Sequence, residues 1–189
     1  MSRLWLIRHG PTHAKSFVGW TDLPADLSDH AAIARLEGAL PIVPVISSDL
    51  TRAIDTASAV QANRPRLAHD HRLREINFGD WEGLEWPAIE ANHSDLARAV
   101  FETPGDTAPP NGESWNAFSA RVHESVLTLK GETVIVAHMG VILALLQKAL
   151  GVSAYEAMSH KIDPLSCTII ECPGGVSGHG SVAQLNHKY

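Results

Sequence analysis

The sequence predicts an α/β fold: a three-layer sandwich with a mostly parallel central sheet, helices on both faces and a C-terminal hairpin. Three observations carry that expectation. Apolar strand-like runs alternate with segments of helical period. Two of those runs, Arg3–Arg8 and Thr133–Ala137, are strongly apolar, as buried strands are. Each is followed by a histidine and, within two residues, a glycine, and in open α/β sheets ligand chemistry collects at the carboxyl ends of strands.

Taken in order, Arg3–Arg8 reads as the first buried strand. Residues 29–40 place Ile33, Leu36 and Leu40 on one face of a helix. Val43–Ser47 reads as a second strand, with Pro44 near its entry, where a missing N–H is tolerated. A helix follows at about 49–62, carrying Ile54, Ala57 and Val60, with Ser48 or Asp49 as its expected N-cap. Pro65–His69 reads as a short third strand. The middle, Gly79–Gly112, is rich in glycine and proline; one or two short helices are expected around Trp86–Val100. A loop through Thr103–Pro110 is long enough to cap a site. Ser114–Leu129 sets Trp115, Phe118, Val122 and Leu129 near one helix face. Thr133–Ala137 is a strand and Val141–Leu150 the helix after it; Leu165–Leu185 reads as a hairpin turning around residues 173–180. With no repeat, low-complexity tract or boundary signal, residues 1–189 are expected to form one domain.

The chain of 189 residues is 44% hydrophobic and 19% charged, an ordinary globular composition able to bury a sizeable core. A net charge of −6 with neutral histidines argues against a nucleic-acid partner, so a small anionic substrate needs a local positive pocket. Cys167 and Cys172 lie in or beside the apolar run Ser166–Glu171 and make neither a disulfide framework nor a zinc knuckle; free thiols fit a reducing compartment. The apolar run Leu4–Ile7 is too short for a signal-peptide core, and no stretch approaches the roughly 20 apolar residues of a membrane span. A cytoplasmic location with no membrane partner is the expectation. His69-Asp70-His71 lacks further ligands nearby, so neither a metal nor a cofactor is expected.

Four local patterns carry chemistry. Arg8-His9-Gly10 sets a planar fork of phosphate donors beside an imidazole at a strand tip, before a residue that turns freely. Ser47–Ala53 follows the second strand and puts Arg52 in the first turn of the next helix, near that strand's tip. Leu73–Gly83 interleaves carboxylates, glycines and an aromatic without helical or strand period; Glu75 is its candidate proton donor. Val134–Val141 repeats the first pattern, with His138 at a strand tip before a helix N-terminus, which favours anions. Singly, each has a structural reading: a strand-end histidine, a surface arginine, a tight loop anchored by Trp81, a satisfied core histidine. Two strand-tip histidines, one beside an arginine, favour a site.

Together these motifs resemble the histidine phosphatase superfamily, the phosphoglycerate mutase-like proteins, over almost the whole chain. Arg8-His9-Gly10, Ser48-Asp49-Leu50-Thr51-Arg52-Ala53, Leu73-Arg74-Glu75 with Gly79-Asp80-Trp81-Glu82-Gly83, Gly112-Glu113-Ser114 and Ala137-His138-Met139-Gly140 occur in the family's order. The resemblance implies that His9 accepts the phosphoryl group, that Arg8, Arg52 and His138 complete the phosphate pocket, and that Glu75 is the general acid. Thr12 matches a position where the family places a hydroxyl near the phosphate. Pro11 and Lys15 stand where the family often has Glu and Asn. Pro11 fits a first helical turn, and Lys15 could reach a second anionic group or be a solvated helix lysine. Trp20 lies in the loop that borders the family's pocket, either stacking on a substrate ring or anchoring that loop.

The implied chemistry is metal-independent hydrolysis of a small phosphorylated metabolite through phosphohistidine. Neighbouring cations disfavour imidazolium and so keep His9 nucleophilic. Mutases of the family carry a longer insertion before the second histidine and an extended tail, whereas this sequence stops at Tyr189, soon after the hairpin; hydrolysis is therefore favoured over mutase activity. Arg3–Gly10 and Asn111–Val122 are most similar to the α-ribazole phosphatases within the family, which makes α-ribazole 5′-phosphate a substrate to test. A non-catalytic phospho-ligand-binding protein on the same scaffold is the reading of a different class, and a homodimer is left open.

Overall fold

The computed structural model describes residues 2–175 and 179–189. Among them are strands β1 (Ser2–Arg8), β2 (Val45–Ser47), β3 (Glu132–Ala137), β4 (Cys167–Cys172) and β5 (Ser181–His187). They form one sheet in the order β2-β3-β1-β4-β5. β3 pairs in parallel with both β1 and β2, and β4 runs antiparallel to β1 and to β5, so β4 alone opposes the other four. The register sets Arg8 beside Ala137 and Ser47 beside Val136. The carboxyl ends of the three parallel strands thus stop at one level.

Helices α1 (His30–Ala39) and α2 (Thr51–Val60) cover one face of the sheet. There Ile7, Val134 and Val136 meet Ile33, Leu36, Ala57 and Val60. On the other face Leu4, Leu6, Ile135 and Ala137 meet α4 (Trp115–Leu127) and α5 (Met139–Leu150), chiefly through Phe118, Val122, Val141 and Leu146. Successive strand residues point to opposite faces, and both faces are covered, which is why β1 and β3 read as apolar runs without alternation. α3 (Trp86–Glu102) carries a third cluster in which Trp81, Ile89, Ala97 and Val100 pack with Phe17, Phe78 and Phe101.

Several elements depart from the sequence reading. Pro65–His69 is not a strand but a single parallel bridge between Val45 and Arg66. Pro65 has no N–H to extend a ladder, and the backbone pairing consists of Val45 N donating to Pro65 O and Leu67 N donating to Val45 O. The middle segment agrees with the one or two short helices expected: Trp86–Glu102 is helical over 17 residues with a kink of non-helical backbone at His93. A short helix α6 (Ala154–Met158) was not anticipated, although Ser153 and Glu156 form the capping box that announces it. Pro11 lies in irregular chain, not in a helical turn. The 103–112 loop packs on the turn Gly79–Trp81: Asp80 N donates to Pro110 O at 2.9 Å, and a Cβ at Gly79 (φ +55°) would overlap that same oxygen. β4 and β5 pair as the expected hairpin, with residues 176–178 of its turn outside the described residues. Among the described residues no helix is long and apolar enough to cross a membrane.

The start of α2 also differs. Neither Ser48 nor Asp49 caps it; Asp49 pairs instead with Arg74, Oδ2 to Nη2 at 2.7 Å. The cap comes from a distant loop. Asp22 accepts from Thr51 N and from Thr51 Oγ1, both at 2.7 Å. Asp22→Ala is therefore expected to lower stability by about 1 kcal/mol, the usual cost of losing a cap, read as a shifted denaturant midpoint.

Candidate active site

His9 and His138 are the residues that follow β1 and β3. Because those strands are adjacent and in register, the two rings meet edge to face with centroids 5.0 Å apart. His9 is 7% exposed. Its Nδ1 lies 2.6 Å from Gly10 O, which assigns the ring proton to Nδ1 and leaves Nε2 bare. Burial pulls its pKa down to about 3 against the pull of the Gly10 carbonyl, and Arg52 and Arg8 add to the depression. The ring is therefore neutral, with a free lone pair, at any ordinary pH. Gly10 sits in a tight space: a Cβ there would lie 2.7 Å from Leu27 Cδ2 and 3.1 Å from Asp26 O.

Arg52, in the first turn of α2, is 1% exposed. Its Nε donates to His138 Nδ1 at 3.3 Å, and Nη1 and Nη2 donate to Thr21 O and Gly19 O. With Nδ1 accepting, the proton of His138 sits on Nε2, which is buried with no partner among the described residues. Burial, reinforced by His9 and Arg52, holds His138 neutral. Arg8 donates from Nη1 to Ile162 O at 2.6 Å, and its Nε is likewise buried and unpartnered. Both donors belong to residues next to His9, Arg8 in sequence and His138 in space.

Glu75 reaches the same place from an irregular segment. Its Oε1 accepts from Ile76 N at 3.0 Å and its Oε2 from Gly140 N at 3.1 Å. The N-terminus of α5 thus holds this side chain. A Cβ on Gly140 would overlap the carboxyl group, so only glycine leaves room for it. Burial raises the Glu75 pKa, opposed by those two N–H groups and by Arg52 and Arg8. Arg8, His9, Thr12, Lys15, Arg52 and Glu75 line a cleft of about 290 Å³, with Phe17, Phe78 and Met139 on its apolar side. Trp20 is not among the lining residues. Its indole Nε1 donates to Glu75 O at 2.9 Å, and its ring lies 5.0 Å from the Arg74 guanidinium, the loop-anchor alternative. Lys15 is exposed, in irregular chain. Among the described residues no group of three or more His, Cys, Asp or Glu is placed to hold a metal ion; Asp70, between His69 and His71, is engaged by Arg72 and Ser125.

A family model described as histidine phosphatase superfamily (branch 1) matches residues 4–182. The chain belongs to the histidine phosphatase superfamily. Among its relatives, the glucosyl-3-phosphoglycerate phosphatase of Mycolicibacterium vanbaalenii is 34% identical over 169 residues, covering 79% of this chain and 74% of the relative. The adenosylcobalamin/α-ribazole phosphatase of Escherichia coli is 31% identical over 170 residues, covering 84% and 83%. Of solved structures, YhfR of Bacillus stearothermophilus superposes with a TM-score of 0.87 at 29% identity over 100% of this chain and 98% of that one. The α-ribazole phosphatase of Shigella flexneri gives 0.83 at 26% over 98% and 96%.

This member of the superfamily holds its candidate pocket with residues that sequence reasoning missed. Glu82 accepts from Gly19 N, Trp20 N, Thr21 N, Thr21 Oγ1 and Phe78 N. It thereby fixes the loop whose carbonyls grip Arg52. Burial pushes the Glu82 pKa up, but these hydrogen bonds outweigh it and hold the carboxylate charged. Arg121 in α4 donates to the carbonyls of Arg72, Arg74 and Glu75 and pairs with Glu113, which accepts from Asn77 N. The backbone that presents Glu75 is thus clamped from below. Glu82 lies inside a motif; Arg121 is near its ion-pair partner Glu113, but the three carbonyls it holds lie 46 to 49 residues away, out of reach of any local pattern. Glu82→Ala is expected to lower kcat/KM on the order of 10- to 100-fold, as misplacement of a pocket group does, and to weaken inhibition by inorganic phosphate in parallel. Unchanged phosphate inhibition would show that Glu82 does not act through Arg52.

Proposed function

We propose that this protein hydrolyses a small phosphorylated metabolite through a phosphohistidine formed on His9. The observation that carries the reading is the His9 ring: neutral, oriented by Gly10 O through Nδ1, and presenting a bare Nε2 to a cleft lined by two arginines. Nε2 attacks phosphorus and the ester P–O bond breaks. Arg8, Arg52 and the Nε2–H of His138 compensate charge on the equatorial oxygens. The leaving oxygen takes the proton of Glu75, whose raised pKa lets it hold one. Glu75, now a carboxylate, takes a proton from water as that water attacks phosphorus; the P–N bond breaks and inorganic phosphate leaves. Thr12 and Lys15, on the cleft wall, contact phosphate and substrate.

The two curated relatives quoted above are named as phosphatases of small phosphorylated metabolites, which supports hydrolysis over phosphoryl transfer to a second alcohol. α-Ribazole 5′-phosphate and glucosyl-3-phosphoglycerate are the substrates their names offer for trial. The decisive test is to incubate the protein with a ³²P-labelled phosphomonoester and quench in base. Label on the protein that is base-stable, acid-labile and absent from His9→Ala is the expected result. Full hydrolysis persisting in His9→Ala would overturn the reading. Release of phosphate from 3-phosphoglycerate, as against its conversion to the 2-isomer, separates phosphatase from mutase.

A further inference from the structure

Behind the cleft lies a second cavity of about 120 Å³, and the two share Phe17, Glu75, Phe78 and Met139 as walls. Its remaining lining is apolar, chiefly Ile76, Phe101 and Leu143, with Glu75 as the only titratable group among the described residues that line it. The Trp115 indole at its edge is already committed, donating to Gln147 Oε1 at 2.7 Å. The aromatic wall is braced: Phe17 packs edge-on against Phe78 at 5.0 Å and tilted against Phe101 at 5.7 Å, and Phe101 stacks on Trp81 at 6.2 Å. At the mouth Met139, the first residue of α5, is 40% exposed, a large apolar side chain left open beside a polar cleft.

We infer that this slot receives the alcohol half of the substrate, and that this half carries a flat apolar group such as an aryl or heteroaryl ring. The inference rests on the phosphatase reading. Glu75 gives its proton to the leaving oxygen, and Glu75 lines both cavities, so the chain beyond that oxygen leads from the phosphate into the slot. A polyhydroxylated or carboxylated alcohol entering it loses its hydration and finds no free partner, a cost of a few kcal/mol per group. The slot, at about 120 Å³, approaches the size of an apolar cavity of roughly 150 Å³ that accepts benzene in another protein, which limits it to a single ring. Met139 supplies a flexible, polarizable edge that adapts to the ring.

The test compares 2-phenylethyl phosphate with glycerol 1-phosphate, both primary alkyl esters with similar leaving groups, so that the readout is selectivity and not leaving-group chemistry. The expected result is a kcat/KM at least about tenfold higher for the phenylethyl ester, since even one methylene in an apolar pocket is worth that much. Phe101→Ser and Met139→Ser are expected to shrink this ratio, and Phe101→Leu to restore it in part. Met139→Ser, at an open position, carries the test if Phe101→Ser does not fold. Hydrolysis of both esters with equal kcat/KM, or a ratio unmoved by Met139→Ser, overturns the slot while the phosphatase reading stands. No turnover of either ester or of any other phosphomonoester removes the phosphatase reading and the slot with it.

Discussion

Replacing His9 by alanine is expected to cut phosphomonoester turnover on the order of 10⁴-fold or more, because removing a nucleophile removes the covalent route itself. Binding should survive. In the proposed reading Arg8, Arg52 and His138 supply the donors to phosphate, and the hydrogen bonds that hold Arg8 and Arg52 do not run through the His9 ring. Inorganic phosphate is therefore expected to bind His9→Ala within a few-fold of the unaltered protein, measured by calorimetry while kcat collapses. Loss of both together would assign His9 to the phosphate cradle and leave the nucleophile unidentified. The same geometry fixes a pH dependence. With its pKa near 3, His9 is unprotonated over the whole working range. An acid limb in kcat/KM near pH 6 would then belong to the substrate, whose phosphate takes up its second proton at about that pH.

The legible part of this protein was the part built from strand ends. Leu4–Ile7 and Val134–Val136 are apolar because the sheet is covered on both faces, and that burial is what makes a run readable as a strand. Once Arg8 is paired with Ala137, the next residues on each strand, His9 and His138, have no other place to be than side by side. The illegible part depends on contacts between segments far apart in sequence. Asp22 caps a helix that Asp49 was better placed to cap, because Asp49 is drawn off by Arg74. Arg121 reads as one more helical arginine until three carbonyls of the Glu75 segment are seen to converge on it. Trp20 reads equally as ligand platform or anchor, and only its indole bond to Glu75 O decides for the anchor. A motif names the residue that reacts; the carbonyls and carboxylates that aim it belong to the fold.

Glu75 separates chemistry from aim most sharply. Glu75→Gln keeps the shape and one acceptor for Ile76 N and Gly140 N but cannot exchange a proton. Turnover of alkyl phosphates is expected to fall about 10²- to 10⁴-fold, the range of general acid catalysis. With 4-nitrophenyl phosphate, whose leaving group needs no proton, the first step should survive while the second, which needs Glu75 to deprotonate water, stalls. The expected trace is a burst of nitrophenolate close to one equivalent, then slow release. The pH profile follows the same logic with a definite sign. Burial raises the Glu75 pKa, so the acid form persists above the usual carboxylate range and is lost as pH rises through the raised value. On alkyl esters kcat/KM should therefore fall on the alkaline side, and that limb should vanish in Glu75→Gln. Equal losses on alkyl and aryl esters with no burst would mean that the buried carboxyl only braces Gly140 against Ile76, and that the proton reaches the leaving oxygen from elsewhere.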